Sequence, residues 1–323
     1  MTQAAVLHAF GEIPRCEPFS EPVAGDGEVI VQVRAAALKP IDQQLASGLH
    51  YGSGSHHLPF VCGTDGAGRL DDSTRVLFAK PRPPYGAMGQ RTVVARSLCF
   101  PIPDDVDDRT AAAVFNPGLS AWASLAWRAK LVAGETVLIL GATGVTGKLA
   151  IQTAKLLGAG RVVAAGRNEQ VLSTLHDLGA DSTIRLQGSP QNLIDAFAHE
   201  AGEKAFDVII DYLWGRPTEA LLAALTRSDL KSGSSRVRLV QVGESAGPAL
   251  SLQAATLRSS RLEILGAGSG SAPPAAMWVD ALQQLMTDVA SGKLRIDTEP
   301  VPLADIQTAW RRDQAGRRLV MIP

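Results

Sequence analysis

Gly141, Gly144 and Gly147 recur at every third position in Gly141-Ala142-Thr143-Gly144-Val145-Thr146-Gly147. Glycines this dense do chemistry with the backbone: without a Cβ, main-chain N–H groups can close on an anion. Gly144 suits close approach to a pyrophosphate, and Gly147 suits packing of a following helix onto a preceding strand. Ala142 stands where the common G-x-G-x-x-G pattern has its first glycine, and Gly141 lies one residue earlier. A second cue follows in Ala164-Ala165-Gly166-Arg167-Asn168. In a dinucleotide site an acidic residue at this place binds the ribose 2′-OH and selects NAD. Here there is no carboxylate, and the Arg167 guanidinium can take a 2′-phosphate with two parallel hydrogen bonds. The expected cofactor is therefore NADP(H), with Arg185 as a second cationic candidate. The bland alternative is a solvated loop arginine.

These groups need a strand before the turn and a helix after it. Thr136–Leu140 is a short run of β-formers, and from Val145 to Leu157 apolar residues recur at helical spacing. Further strands at Arg161–Ala165, Asp207–Asp211, Arg238–Val242 and Leu262–Leu265 alternate with helices at Glu169–Leu178, Asn192–Glu200 and Thr218–Leu225. That rhythm predicts an α/β unit, a doubly wound parallel sheet with helices on both faces. The region before it differs. Glu28–Ala36 reads as a strand, and Gly-, Pro- and Asp-rich breaks cut the rest into short strands of a barrel-like β unit. Thr110–Ala113 and Leu119–Arg128 read as helices, as do Ala275–Ala290 and Ala304–Arg312, while Ser232–Ser235 reads as a linker. A nucleotide unit in mid-chain leaves the C-terminal segment free to return to the β-rich unit.

With 323 residues, 46% hydrophobic and 20% charged, the chain suits two globular domains. A net charge of −1 gives no reason to expect nucleic acid or an anionic membrane as partner. No apolar run approaches the roughly 18 residues of a membrane span, and Met1–Phe10 lacks the pattern of a signal peptide. Cys16, Cys62 and Cys99 lie far apart, which suits a reducing, cytoplasmic location. Lys148 follows Gly147, but Leu149 replaces the hydroxyl residue of a triphosphatase phosphate loop. Tyr51, Tyr85 and Tyr212 lack the lysine four residues on that short-chain reductases carry.

Several pieces, in order, then carry a resemblance: Gly27–Val31, Lys39-Pro40-Ile41-Asp42, Pro59–Gly68, Gly118–Trp122, the glycine turn, Leu178–Asp181, Phe206–Asp211 and Gly316–Pro323. The chain resembles the medium-chain dehydrogenase/reductase superfamily, most closely its zinc-free quinone oxidoreductase branch. The resemblance implies a GroES-like catalytic domain built from residues 1–119 and 265–323. It implies a Rossmann domain at 120–264 between them, and an active site in the cleft. It also implies a homodimer joined at the strand Arg261–Gly266. Cofactor contacts are expected from Asn116 and Ser120 at the nicotinamide end and from Ala142, Thr143, Gly144, Val145 and Thr146 in the turn. Gly166, Arg167, Asn168 and Arg185, with Val242 and Gly243, complete the set.

Zinc-dependent relatives place a Cys, a His and a third ligand where this chain has Lys39, Thr64 and Asn116. An ammonium, a hydroxyl and an amide do not make a zinc shell, so no metal is expected; the histidines of His50–His57 are the remaining metal candidate. Without a Lewis acid, a carbonyl must be polarised by hydrogen-bond donors. A quinone or α,β-unsaturated carbonyl suits this, since hydride adds at the β-carbon while a donor holds the oxygen. Some zinc-free relatives carry a tyrosine donor where this chain has Gln44. The donor candidates here are Lys39, His50 and Tyr51, although Lys39 could instead pair structurally with Asp42. The expected function is NADPH-dependent reduction of a quinone or enone. The alternatives are a non-enzymatic NADPH-binding redox sensor or interaction protein, and an alcohol dehydrogenase-type enzyme.

Replacing Arg167 with Ala is expected to weaken NADPH by about 1.5–3 kcal/mol more than NADH, the worth of a charged hydrogen bond. Titration with both nucleotides checks this, and equal losses would remove the assignment.

Overall fold

The computed structural model describes residues 1–55, 57–202, 205–226, 236–314 and 316–323. His56 of the histidine stretch and the linker-like Ser232–Ser235 lie outside the described residues. The chain divides into two compact units, Met1–Asn116 with Gln283–Pro323, and Pro117–Leu282.

The first unit contains strands β1 (Thr2–Leu7), β2 (Arg15–Phe19) and β3 (Glu28–Ala37), then helix α1 (Pro40–Ser47). Strands β4 (Phe60–Val61), β5 (Asp65–Arg69), β6 (Arg75–Ala79), β7 (Arg91–Ala95) and β8 (Cys99–Pro101) follow, before helix α2 (Asp108–Trp122). β3 is the spine. Glu28–Gln32 pair with β7, and Gln32–Ala35 with β5. Val31 and Val33 point into the core while Gln32 and Arg34 face out, the two-residue alternation of a half-buried strand. The apolar end of β3 then receives the returning C-terminal segment. The last strand of the chain pairs Val320 with Ala37 and Met321 with Ala36. One core therefore joins Leu7, Val31, Leu38, Phe60 and Phe78 to Trp310, Leu319 and Met321.

Helix α1 is absent from the sequence reading, but its ends are punctuated in the usual way. Pro40 occupies the first turn, where a missing N–H costs nothing, and Gly48 closes the helix at φ 78°. The backbone amide of Lys39 donates to Asp42 Oδ2 at 2.9 Å.

The second unit holds strands β9 (Thr136–Leu140), β10 (Arg161–Gly166), β11 (Ser182–Arg185), β12 (Val208–Asp211), β13 (Val237–Gln241) and β14 (Leu262–Gly266). Helices α3 (Val145–Leu156), α4 (Glu169–Leu172), α5 (Pro190–Ala201), α6 (Gly215–Leu225) and α7 (Ala254–Ser259) connect them. All adjacent strands are parallel, in the order β11-β10-β9-β12-β13-β14. β14 is an edge strand, and the direction of winding reverses between β9 and β12. Leu138, Leu140, Val163, Ala165 and Ile209 pack on one face with α5 and α6. Val137, Ile139, Val162, Ala164, Val208 and Ile210 pack on the other with Ala150, Ile151 and Ala154 of α3. Burial on both faces explains why these strands read as unbroken apolar runs.

The compact units divide at Asn116 and Leu282, where the resemblance implies 119 and 264. Within the second unit, Arg128 Nε donates to Gly266 O at 2.8 Å and Trp127 Nε1 to Ser271 O at 3.3 Å. Two expectations about helices are corrected. Thr110–Ala113 and Leu119–Arg128 are not separate helices. α2 runs through Pro117 and continues as a π-helical turn, Ala123–Arg128. The missing N–H of Pro117 is outweighed by burial of Ala111, Ala112, Ala113 and Ala121. Glu169–Leu178 breaks into α4 and a 3₁₀ turn at Leu175–Leu178. Helix α8 (Ala275–Ala290), strand β15 (Thr298–Pro302), helix α9 (Ile306–Ala309) and strand β16 (Arg318–Ile322) end the chain. Among the described residues, no helix is long and apolar enough to cross a membrane.

A Cβ on Gly147 would lie 2.3 Å from Gly141 O and 2.5 Å from Ala142 Cα. Gly147→Ala is therefore expected to destabilise the protein by about 1–3 kcal/mol through overpacking, read as a fall in the thermal midpoint. An unchanged midpoint would contradict this packing.

Candidate functional site

In the second unit the expected cofactor residues collect at the C-terminal ends of the sheet strands. Beyond β9 the chain turns at Gly141, whose φ of 87° is left-handed. This glycine, and not the residue at 142, makes the tight turn, so Ala142 can be fully buried in its place. The amides of Gly141 and Ala142 both donate to Ala165 O at 2.9 Å, fastening the turn to the end of β10. Gly144 then begins α3 with no side-chain cap. A Cβ there would meet only Gly141 O, at 3.4 Å. The space beside Gly144 is thus open, and the amides of Val145 and Thr146 open a helix whose N-terminus favours negative charge. These are the features a pyrophosphate requires.

Gly166 is needed for a different reason. A Cβ there would lie 2.4 Å from Thr143 Cγ2, so the Thr143 side chain fills the space that glycine leaves. Arg167 follows, exposed, with no ion-pair partner among the described residues. Asn168 accepts from Val171 N at 3.1 Å and caps α4. Arg185 stands directly across from Gly166 in the β10–β11 register. Its Nη1 lies 2.7 Å from Glu169 Oε2. Beyond β13, Val242 and Gly243 both donate their amides to Asp211 O, at 2.8 and 3.2 Å. Asp211 in turn accepts from Leu213 N, Trp214 N and Thr218 Oγ1 at 2.8, 2.9 and 2.6 Å. Burial pushes its carboxyl upward, against the pull of these three donors. Asp211 and Glu169 were not singled out in the sequence. Asp211 ends an apolar strand, a legible position; Glu169 shows its partner only once the strands are in register.

In the first unit, Lys39 is 1% exposed. Its Nζ lies 3.0 Å from Ala37 O, 3.1 Å from Asp65 Oδ1 and 3.3 Å from Asp42 Oδ2. The ammonium donates to the Ala37 carbonyl and is ion-paired with both carboxylates. Asp42 Oδ1 also accepts from Thr64 N at 3.1 Å, and Thr64 Oγ1 lies 2.8 Å from Asp65 Oδ2. Arg318 of β16 adds a second buried cation, donating to Leu38 O at 2.8 Å. Two cations balance two carboxylates. Burial alone would lower the Lys39 pKa, but Asp42 and Asp65 outweigh it and raise it above the ordinary lysine value. Burial brings Arg318 down to about 10.

His50 and Tyr51 follow α1. Their ring centroids lie 3.9 Å apart, and Gly52 N donates to His50 Nδ1 at 3.0 Å. That bond leaves the neutral ring's hydrogen on Nε2. Tyr51 is exposed, unlike Lys39. Asn116 and Ser120 lie one turn apart on α2, the first exposed and the second half-buried. Among the described residues no three His, Cys, Asp or Glu side chains are grouped to hold a metal ion.

Residues 145–286 match the zinc-binding dehydrogenase family. The chain is 28% identical over 200 residues to a quinone oxidoreductase of Homo sapiens, a match covering 59% of each chain. It is 23% identical over 337 residues to a probable NADPH-dependent quinone reductase of Emericella nidulans, covering 91% of each. Among solved structures, the quinone oxidoreductase of Thermus thermophilus, also determined in complex with NADPH, superposes with a TM-score of 0.81 at 24% identity, covering all of both chains. At that identity the likeness shows the fold.

Removing one member of a buried ion pair strands the other. Lys39→Met is expected to cost about 3–5 kcal/mol of stability, with part recovered on adding Asp65→Asn. Denaturant unfolding measures both; parental stability of the single variant would show that Asp42 and Asp65 do not depend on the ammonium.

Proposed function

We propose, for a chain that belongs to the medium-chain dehydrogenase/reductase superfamily and to its quinone oxidoreductase-like branch, a zinc-independent reductase that uses NADPH to reduce a quinone or an α,β-unsaturated carbonyl. The observation that carries the cofactor reading is the end of β10: an open glycine turn is fastened to it, no carboxylate stands at its last residues Ala164–Asn168, and Arg167 and Arg185 flank it. The turn from Gly141 to Thr146 holds the pyrophosphate, and Arg167 the 2′-phosphate. Val242 and Gly243, tied to Asp211, border the bound nucleotide, with Asn116 and Ser120 toward the nicotinamide. NADPH supplies a hydride when bound.

The donor set supports a metal-free reaction. Lys39, Thr64 and Asn116 offer no thiolate or imidazole, and the Lys39 ammonium is already enclosed by Asp42 and Asp65. Buried and ion-paired in this way, Lys39 shapes this part of the unit and leaves the proton to another group. His50 is the better donor. Its Nδ1 accepts from Gly52, so Nε2–H is available to hold a substrate oxygen, with Tyr51 stacked against the ring. Such a donor matches a conjugated carbonyl, whose oxygen gains charge as hydride adds at a distant carbon.

NADPH oxidation across a panel of quinones and enones is expected to show turnover that a chelator leaves unchanged. NADPH binding without turnover on any panel member would sink the reductase reading in favour of a non-enzymatic NADPH-binding protein. Gly144→Val, which meets open space, is expected to keep the fold by circular dichroism and to lose nucleotide binding. Normal binding by that variant would refute the phosphate assignment.

A further inference from the structure

We propose that the Glu169–Arg185 ion pair tunes nucleotide preference, an inference that rests on the NADPH reading above. In the unliganded protein Glu169 holds Arg185. When a 2′-phosphate arrives beside Arg167, it displaces Glu169, and Arg185 becomes the second guanidinium on the phosphate.

The placement is set by the backbone. Gly166 and Arg185 are register partners at the ends of β10 and β11, and Leu186 N donates to Gly166 O at 2.8 Å, so the register persists past the strand ends. Ile184 and Leu186 pack into the core on one face of the sheet. Alternation along the strand sends Arg185 to the opposite face. That is the face on which Leu172 of α4 is buried. Glu169, in the first turn of α4, meets the guanidinium there. Asn168 caps that turn and fixes where the carboxylate stands relative to Arg167. The side chains of Arg185 and Glu169 are 48% and 69% exposed, so their pairing adds little to stability and is readily exchanged. A dianionic phosphate is a stronger bidentate partner for a guanidinium than one carboxylate. A ribose hydroxyl offers no charge with which to displace Glu169. The pair is therefore a threshold that NADPH crosses and NADH does not.

The test is fluorescence titration of NADPH and NADH with the whole protein, with 2′,5′-ADP and 5′-ADP as competing probes. Glu169→Gln is expected to tighten NADPH roughly threefold to tenfold and to leave NADH nearly unchanged, since a weak competing charge is lost. Arg185→Ala is expected to weaken NADPH and 2′,5′-ADP by about tenfold or more, without changing 5′-ADP. In the Arg185→Ala background the gain from Glu169→Gln should shrink, because its main route is through the freed guanidinium. Equal effects on the two nucleotides, or an unchanged ratio in Arg185→Ala, would overturn the proposal. A wild-type preference for NADPH that only Arg167→Ala erases overturns this pair and leaves the cofactor reading standing. A wild-type protein with no preference overturns both.

Discussion

A fully buried ammonium is tolerated only where opposite charge is close at hand, and this constraint shapes the first unit. Lys39 sits where β3 hands over to α1. Its partners come from β3 itself, from the first turn of α1, and from the start of β5. Arg318 brings β16 into the same group through Leu38 O. Charges that would each be costly alone balance one another, so the four elements cannot shift independently without exposing an unpaired charge to the core. The loop carrying His50 and Tyr51 begins at the far end of α1 and inherits that fixed starting point.

The second unit is shaped at its glycine turn by the opposite means. The proposed contacts to a nucleotide use mainly main-chain amides, and the residues that make the turn possible are those without side chains. Gly141 accepts a left-handed φ, Gly144 leaves room, and Gly147 and Gly166 let neighbours approach to distances that a Cβ forbids. Exposed charge stands beside this turn in Arg167, Arg185 and Glu169. The first unit thus fixes its geometry at Lys39 with buried ions, and the second fixes its turn with absent atoms.

Much of this was legible in the sequence, because strands buried on both faces and glycine turns leave strong local marks. The parallel strands, the turn and Ala275–Ala290 all lie where periodicity placed them. The displaced first glycine finds its explanation only in the left-handed φ of Gly141. Other features were hidden for identifiable reasons. α1 is too short and too polar to show a periodic stripe, and its marks are only Pro40, Asp42 and Gly48. Thr110–Ala113 and Leu119–Arg128 read as two helices, while α2 runs through Pro117 because burial of the flanking alanines outweighs the lost N–H. Lys39 reads from the sequence as one of three candidate donors, with a structural pairing to Asp42 as the alternative. The carboxylate that completes its enclosure, Asp65, is distant in sequence, and so is Arg318. The Glu169–Arg185 pairing depends on strand register, which no single strand encodes. The hydrogen bonds from Trp127 and Arg128 to the segment after β14 go to backbone carbonyls, which leave no trace in composition.

The return of β16 to β3 sets an order of assembly. Residues 117–282 are continuous, so the nucleotide unit contains every strand of its own sheet within one stretch of chain. The other unit cannot close its core until Trp310, Leu319 and Met321 exist to meet Leu7 and Leu38. Until then the apolar end of β3 is an unpaired edge, and Lys39 lacks the neighbouring element that carries Arg318. During synthesis from the N-terminus, the part made first is therefore the part finished last. The inserted unit separates β3 from β16 by a long stretch of chain, and the entropy of closing it falls on the pairing of β16 with the end of β3.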